Sequence, residues 1–351
     1  MQDSPHSSAL DQLNDELDGL ALEGHWRLQG VTAPEPRPWA AAHLWRWADI
    51  RRVLLRAGEI GGIEGGASRR TVRLCTPGLK EKWATQTVHA SFQLVKPGEV
   101  ADAHRHSMGA LRFIAEGEGG YTNVDGEKFV MEPGDLILTP QMSWHDHGNE
   151  GTGPVIWLDG HDFPLAHRLN ALFFEPYSAQ RQEVRADDRR LRARLGPVRP
   201  RSLPESKAGC PFIYKGKEAF ALIGALDEED WDAHEGFVLD YVNPRDGGPT
   251  LPTIGCRLQS LPAGKRTLPQ RETVTRICQV VRGKGRTVAG DTVLEWTEGD
   301  AFVLPGWHWV EHEAESDAIV FSMSDEPVLR ALSLWRCERG GGNQHGGRNG
   351  S

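Results

Sequence analysis

Between Ser8 and Leu22 the apolar residues Leu10, Leu13, Leu17, Leu20 and Leu22 recur at close to helical spacing, which predicts an amphipathic helix. The segment PEPRP at 34–38 is a rigid break. From His43 to Gly58 helical periodicity resumes, with Leu44, Trp47, Ile50 and Leu54 on one side and Gly58 as the stop. GGIEGG at 61–66 reads as a flexible joint. The texture then changes. From Arg70 to about Asp162, short runs of Val, Ile, Leu, Phe and Thr are separated by turn signals at Pro97-Gly98, Asp125-Gly126, Pro133-Gly134 and Asn149-Glu150-Gly151. Many short strands without long helices predict a sandwich or barrel. A helical stretch is expected over Ala171–Leu195, followed by a basic, proline-containing surface linker at 192–206. Strand-and-turn texture returns after Phe212 and runs to about Ser324, and a short helix is expected over Glu326–Arg339 before a glycine-rich tail.

The β texture is repeated. Gly134-Asp135, Pro140, Trp144 and His147 recur as Gly299-Asp300, Pro305, Trp309 and His312, offset by 165 throughout. Gly117 and Gly119 recur as Gly283 and Gly285, offset by 166, as one inserted residue would produce. Two copies of one small β domain account for the 351 residues. The expected organisation is an arm over 1–69, a first barrel over 70–180, a linker over 181–211, a second barrel over 212–339 and a disordered tail over 340–351.

Charge narrows the partners. Lys plus Arg number 40 and Asp plus Glu 49, a formal charge of −9, which argues against nucleic acid and against an anionic membrane surface. No apolar run approaches the roughly 18–20 residues that span a bilayer. The polar, acidic first twenty residues lack the features of a secretory signal, and the five cysteines are scattered without a CxxC. Reduced thiols and a cytoplasmic location are expected.

Histidine carries the chemistry. Six of the fourteen fall within the stretch from His104 to His167. His104 and His106 stand two apart on a predicted strand, so both enter one face. His145 follows 39 residues after His106, across two predicted hairpins. Three neutral nitrogens on one face leave about half of an octahedral shell open. In the second copy Gln270, Glu272 and Val310 stand at these positions, with His308 and His312 nearby as a conceivable residual site. The bland reading of that copy is a domain that packs and dimerises.

Gly98, His104-Arg-His106 and Gly117, followed by Gly134, Pro140, His145 and Asn149, resemble the two motifs of the cupin superfamily. The resemblance implies an all-β dominated bicupin, two jelly-roll β-barrels with an N-terminal helical arm. Many cupins add a glutamate ligand shortly after the HxH pair; here that place falls at Ala110 or Leu111. The segments HRHSMGALRFIAEGEGGYTNVDGE, PGDLILTPQMSWHDHGNEG and WLDGHDFPL further resemble the gentisate and salicylate 1,2-dioxygenases, which include enzymes for 5-nitrosalicylate and 1-hydroxy-2-naphthoate. The likeness extends to HLWRWADIRRVLLRAGEI and RRTVRLCTPGL.

That resemblance implies Fe(II), one per chain in the N-terminal barrel, held by His104, His106 and His145. It implies a small aromatic hydroxy acid and O2 as substrates, and a homo-oligomer, a tetramer. The reaction opens the ring between the carboxyl- and hydroxyl-bearing carbons of a 2-hydroxybenzoate. Arg112 matches the arginine on the substrate carboxylate, His147 a histidine near the phenolate or oxygen, Asp159 an acidic pocket residue and Gln93 a polar wall residue. Arg70 adds positive charge at the pocket mouth. A rim ion pair is the competing reading for Arg112, and a turn-orienting role the competing one for Asp159. The chain departs from the gentisate pattern at His89, where the family has Tyr or Trp, at Ser91, where it has Gly, and at Met108-Gly109, where it has Gln-Ser. Gentisate is therefore in competition with a salicylate bearing another 5-substituent, such as nitro. Rival classes are another cupin metalloenzyme and a non-catalytic ligand-binding bicupin.

Overall fold

A computed structural model describes residues 5–28, 33–60, 70–187, 213–244 and 246–341. Residues 1–37 form one compact unit, in which helix Pro5–Gly19 is tied to the turn His25–Arg27. The tie is an ion pair between Arg27 and Asp18 at 2.6 Å, with a Trp26–Asn14 hydrogen bond beside it. Residues 38–351 form the second unit, which holds both β halves.

Each half is a pair of facing sheets, antiparallel throughout except where Ala186–Asp187 runs parallel to Glu127–Val130. In the first half, the inner sheet runs Ile213–Tyr214, Leu136–Thr139, Ala110–Glu116, Val155–His161, His89–Val95, Arg70–Arg73. Its outer sheet runs Phe174–Pro176, Val100–His106, His145–Asn149, Gly120–Val124, Glu127–Val130, Ala186–Asp187. In the second half, the inner sheet runs His43–Trp45, Ala301–Leu304, Arg276–Arg282, Ala318–Ser324, Gly255–Leu261, Phe237–Tyr241. The opposing sheet holds Thr292–Thr297, Lys284–Ala289, Val310–Ala314, Gln270–Glu272 and Cys337–Arg339. This is the mostly β, two-barrel architecture that the repeat implied.

Strand alternation divides the inner sheets cleanly. Ala90, Phe92, Leu94, Leu111 and Phe113 point out of the first barrel into a core shared with Leu258, Ile277, Phe321 and Met323 of the second. Phe113 stacks on Phe321 with centroids 4.0 Å apart. The opposite parity faces the barrel interior, where Val95, Ile114, Val155 and Trp157 make a separate apolar floor.

The halves also exchange arms. Strand His43–Trp45 precedes the first barrel but pairs with the Ala301 strand of the second. Ile213–Tyr214 precedes the second barrel but pairs with the Leu136 strand of the first. Each arm strand covers a sheet edge that would otherwise lie open. The repeated Gly-Asp holds each arm in place. Asp135 accepts the Gly216 N–H and pairs with Lys215, at the start of helix Gly216–Ile223. Asp300 accepts the Trp47 N–H and pairs with Arg46, at the start of helix Trp47–Ile60. A carboxylate at a helix N-terminus answers both the unsatisfied N–H and the dipole. The preceding glycines, Gly134 and Gly299, have φ of +87° and +85°, and a Cβ there would strike Phe220 and Trp47. A second reciprocal clasp joins Thr253 to Asp162 and Thr87 to Asp325, both at 2.6 Å.

Four sequence expectations are corrected. His43–Trp45 is extended, because it completes the neighbouring sheet. Residues 171–187 are not helical: a helix occupies Phe163–Arg168, and the chain beyond it straps the outer sheet, with Phe174–Pro176 pairing along His104–His106. A helix, Gly216–Ile223, stands where strand texture was expected. The last helix ends at Ala331, and Cys337–Arg339 is a strand on the Gln270 strand. The 61–66 joint, most of the expected linker and the tail beyond 341 lie outside the described residues. Among the described residues no helix is long and apolar enough to cross a membrane.

Candidate metal centre

The outer sheet of the first barrel brings three imidazoles together. His104 and His106 share one face of their strand, and His145 lies directly across the ladder from His104. Ring centroids are 4.1 Å apart for His104–His145 and 4.7 Å for His106–His145. One nitrogen from each lies within 4.8 Å of the others, and all three residues are buried.

Local backbone fixes which nitrogen that is. His104 Nδ1 is 2.8 Å from the Asp102 carbonyl, His106 Nδ1 2.7 Å from the Met108 carbonyl, and His145 Nδ1 2.9 Å from the Ser143 carbonyl. A carbonyl only accepts, so each Nδ1 carries the proton and each Nε2 the lone pair. Orienting a ligand imidazole through its second nitrogen is the recurrent device of metal sites. His145 Nε2 is buried and has no protein partner, as a metal ligand should be in the bare chain. Burial, then the neighbouring His104 and His106, pushes the His145 pKa well below its ordinary value, which keeps it neutral as ligation requires. The residues present fit a divalent metal held by three nitrogens.

The facing inner sheet supplies charge. Register aligns its interior positions in rows: His89, His161 and Ala110; then Ser91, Asp159 and Arg112; then Gln93, Trp157 and Ile114. Arg112 donates to His147 Nε2 and to Thr139 Oγ1, both at 2.8 Å, and its Nε lies 3.4 Å from Asp159. Because an arginine only donates, His147 Nε2 is an acceptor and its Nδ1 faces the Thr122 hydroxyl at 3.3 Å. Trp157 Nε1 donates to Asp159 Oδ1 at 2.9 Å and fixes that carboxylate. Arg112, His147 and Asp159 are thus one buried network beside the triad.

The remaining predicted residues are placed as follows. Gln93 accepts from Thr71 on the interior face, and its buried Nε2 has no protein partner. His89 lies one row toward the mouth, cross-strand from His161. Half-buried Met108 supplies the carbonyl that orients His106. Arg70 is a correction. It is register-paired with Leu94, so it points out of the barrel, where it forms a 2.6 Å ion pair with Glu99. Arg73 is the arginine of that strand on the face of Ser91, and a one-residue change in register is what separates the two. Sequence reasoning missed Thr122, Thr139 and Trp157, whose roles arise only from cross-strand pairing.

In the second half, Gln270 and Val310 are cross-strand partners, as His104 and His145 are in the first. Among the described residues the first-barrel triad is the one grouping of three metal-ligating side chains.

A family model for the cupin domain matches residues 91–161. The chain is 39% identical to a 5-aminosalicylate 1,2-dioxygenase of Comamonas sp, over 93% of this chain and 89% of that one. It is 38% identical to a gentisate 1,2-dioxygenase of Aquipseudomonas alcaligenes, over 92% and 94% respectively. Among solved structures, a salicylate 1,2-dioxygenase from Pseudoaminobacter salicylatoxidans, crystallised with gentisate, superposes with a TM-score of 0.87 at 31% identity, covering 97% of this chain and 96% of that one.

Proposed function

This chain belongs to the family of gentisate and salicylate 1,2-dioxygenases, and from that premise we propose the substrate class and the part each residue plays. It is an oxidoreductase that opens an aromatic ring with dioxygen, inserting both oxygen atoms. The proposed substrate is a 2-hydroxybenzoate, gentisate or a 5-substituted salicylate, cleaved between the carboxyl- and hydroxyl-bearing carbons to an oxo-dicarboxylic acid. The observation that supports this most is a neutral three-histidine metal group with a buried arginine fixed beside it.

Fe(II) is the proposed metal; His104, His106 and His145 would hold it, and it would supply the Lewis-acid and redox chemistry that activates ring and dioxygen toward each other. Arg112 attracts and orients the substrate carboxylate, since a planar guanidinium matches two oxygens. Asp159, held by Trp157, sets the plane of that guanidinium. His147, whose Nε2 accepts from Arg112, takes up a proton at that nitrogen when the substrate carboxylate draws the guanidinium away. Gln93 offers an amide N–H from the barrel floor. The apolar floor of Val95, Ile114 and Trp157 keeps water from the reacting carbons.

The test is oxygen uptake by Fe(II)-loaded protein with gentisate, salicylate, 5-nitrosalicylate and 1-hydroxy-2-naphthoate in parallel. Uptake with one or more, lost in His104→Ala together with the bound iron, is the expected result. No uptake with any of them at one iron per chain would overturn the substrate class.

A further inference from the structure

His89 is 7% exposed and faces the barrel interior, yet its Nε2 has no protein partner. Its other nitrogen is engaged: the Ala84 N–H donates to His89 Nδ1 at 3.4 Å. Burial, with Arg73 second, pushes its pKa down to about 4. A neutral imidazole that accepts at Nδ1 carries its single proton on Nε2. The barrel interior therefore holds a buried N–H donor with no acceptor, an arrangement that costs a lost hydrogen bond until something supplies one.

The place of that donor says what would supply it. His89 is register-paired with His161, whose ring centroid lies 6.3 Å from that of His106. The Arg112 row lies two residues further along each strand, about 6–7 Å away. A benzoate ring whose carboxylate meets Arg112 reaches across that spacing with its far edge. Resting on the 2-hydroxybenzoate reading above, we infer that His89 is a specificity residue whose Nε2–H donates to an acceptor substituent, a hydroxyl or nitro oxygen, on the ring edge away from Arg112. Salicylates with a 5-alkyl group, which offers no acceptor, are selected against.

The inference is tested by titrating the Fe(II)-loaded protein, without oxygen, with 5-nitrosalicylate, gentisate, 5-aminosalicylate and 5-methylsalicylate, and reading Kd. A nitro group also acidifies the phenol, so the informative quantity is how the affinity ratio changes on substitution of His89. His89→Phe keeps a ring and removes the donor. It should lower affinity for 5-nitrosalicylate and gentisate about tenfold relative to 5-methylsalicylate, the size of one hydrogen bond. His89→Gln keeps an N–H and should restore most of the ratio. In turnover the change should fall on KM and leave kcat nearly alone. Retention of the wild-type ratio in His89→Phe overturns the inference while leaving the enzyme's function intact. Failure of wild-type protein to bind any of the four overturns the substrate reading itself.

Discussion

At the ladder position where the first barrel sets His104 against His145, the second sets Gln270 against Val310. Where the first has Arg112 opposite Asp159, the second has Cys278 opposite Ser322, and burial pushes that thiol up to about 12. One polar pair is kept: His147 meets Thr122, and His312 meets Thr287. The second interior is nonetheless charged. Arg276 meets Glu272 at 2.6 Å and Glu326 at 3.3 Å, and Arg257 meets Glu235 at 2.6 Å and Glu326 at 3.1 Å. Arg276, Glu272, Arg257 and Glu235 line a cavity of about 50 Å³. One barrel thus keeps nitrogen lone pairs and an arginine beside an open face, and the other answers its charges internally. The same frame serves chemistry in one copy and cohesion in the other.

The largest expected contrast follows from exchanging the two lesions. His106→Ala should abolish turnover and lower metal affinity by more than about a hundredfold, while the chain still folds. Glu272→Ala should do the reverse. It removes the nearest carboxylate of a guanidinium that is 12% exposed, and breaking such a pair costs about 3 kcal/mol. Urea unfolding should report that loss, with iron content per folded chain unchanged. A Glu272→Ala protein of wild-type stability that loses its iron would break the contrast.

A smaller effect sharpens it, because the two halves share a locking device even where their interiors differ. Asp135→Asn and Asp300→Asn each weaken a helix N-terminus and an ion pair, at about 1–2 kcal/mol apiece. Since each clamp holds an arm belonging to the other barrel, both variants should lower one common unfolding transition in calorimetry. Separation of that transition into two would show that the barrels are energetically independent and that the exchanged arms are incidental.

Much of this was visible in the chain itself. The duplication, the barrel architecture and the ligand spacing are encoded by short-range signals: glycine turns, an HxH pair on a strand and a constant offset. The Gly-Asp repeat was legible as a motif but not as a clamp, because its partners at 46–47 and 215–216 are far away in sequence. His43–Trp45 has helical periodicity yet is extended for the same reason, since a neighbour's sheet overrides local pattern. Arg70 failed on register, which local sequence does not fix at an edge strand. The Ala84–His89 bond depends on a turn closing over five residues, and no residue type announces it.

The smallest predicted effect concerns His312, the counterpart of His147. Burial, with Arg276 adding and Glu235 opposing, lowers its pKa to about 4. The unfolded chain therefore takes up a proton below about 6.5 that the folded chain declines until about 4. Its contribution is complete above the unfolded value and is lost as pH falls through that window. Asp135, Asp162 and Asp325 act with the opposite sign, because burial raises each carboxyl above its ordinary value and favours the folded state at low pH. Whole-protein pH curves mix these contributions, so the useful quantity is a difference. Unfolding free energy measured by urea between pH 7 and 4.5 should fall less steeply in His312→Gln than in wild type, by up to about one proton's worth of slope. Equal slopes would mean that His312 takes up its proton at the same pH in the folded and the unfolded chain, and that the second interior accepts its charge.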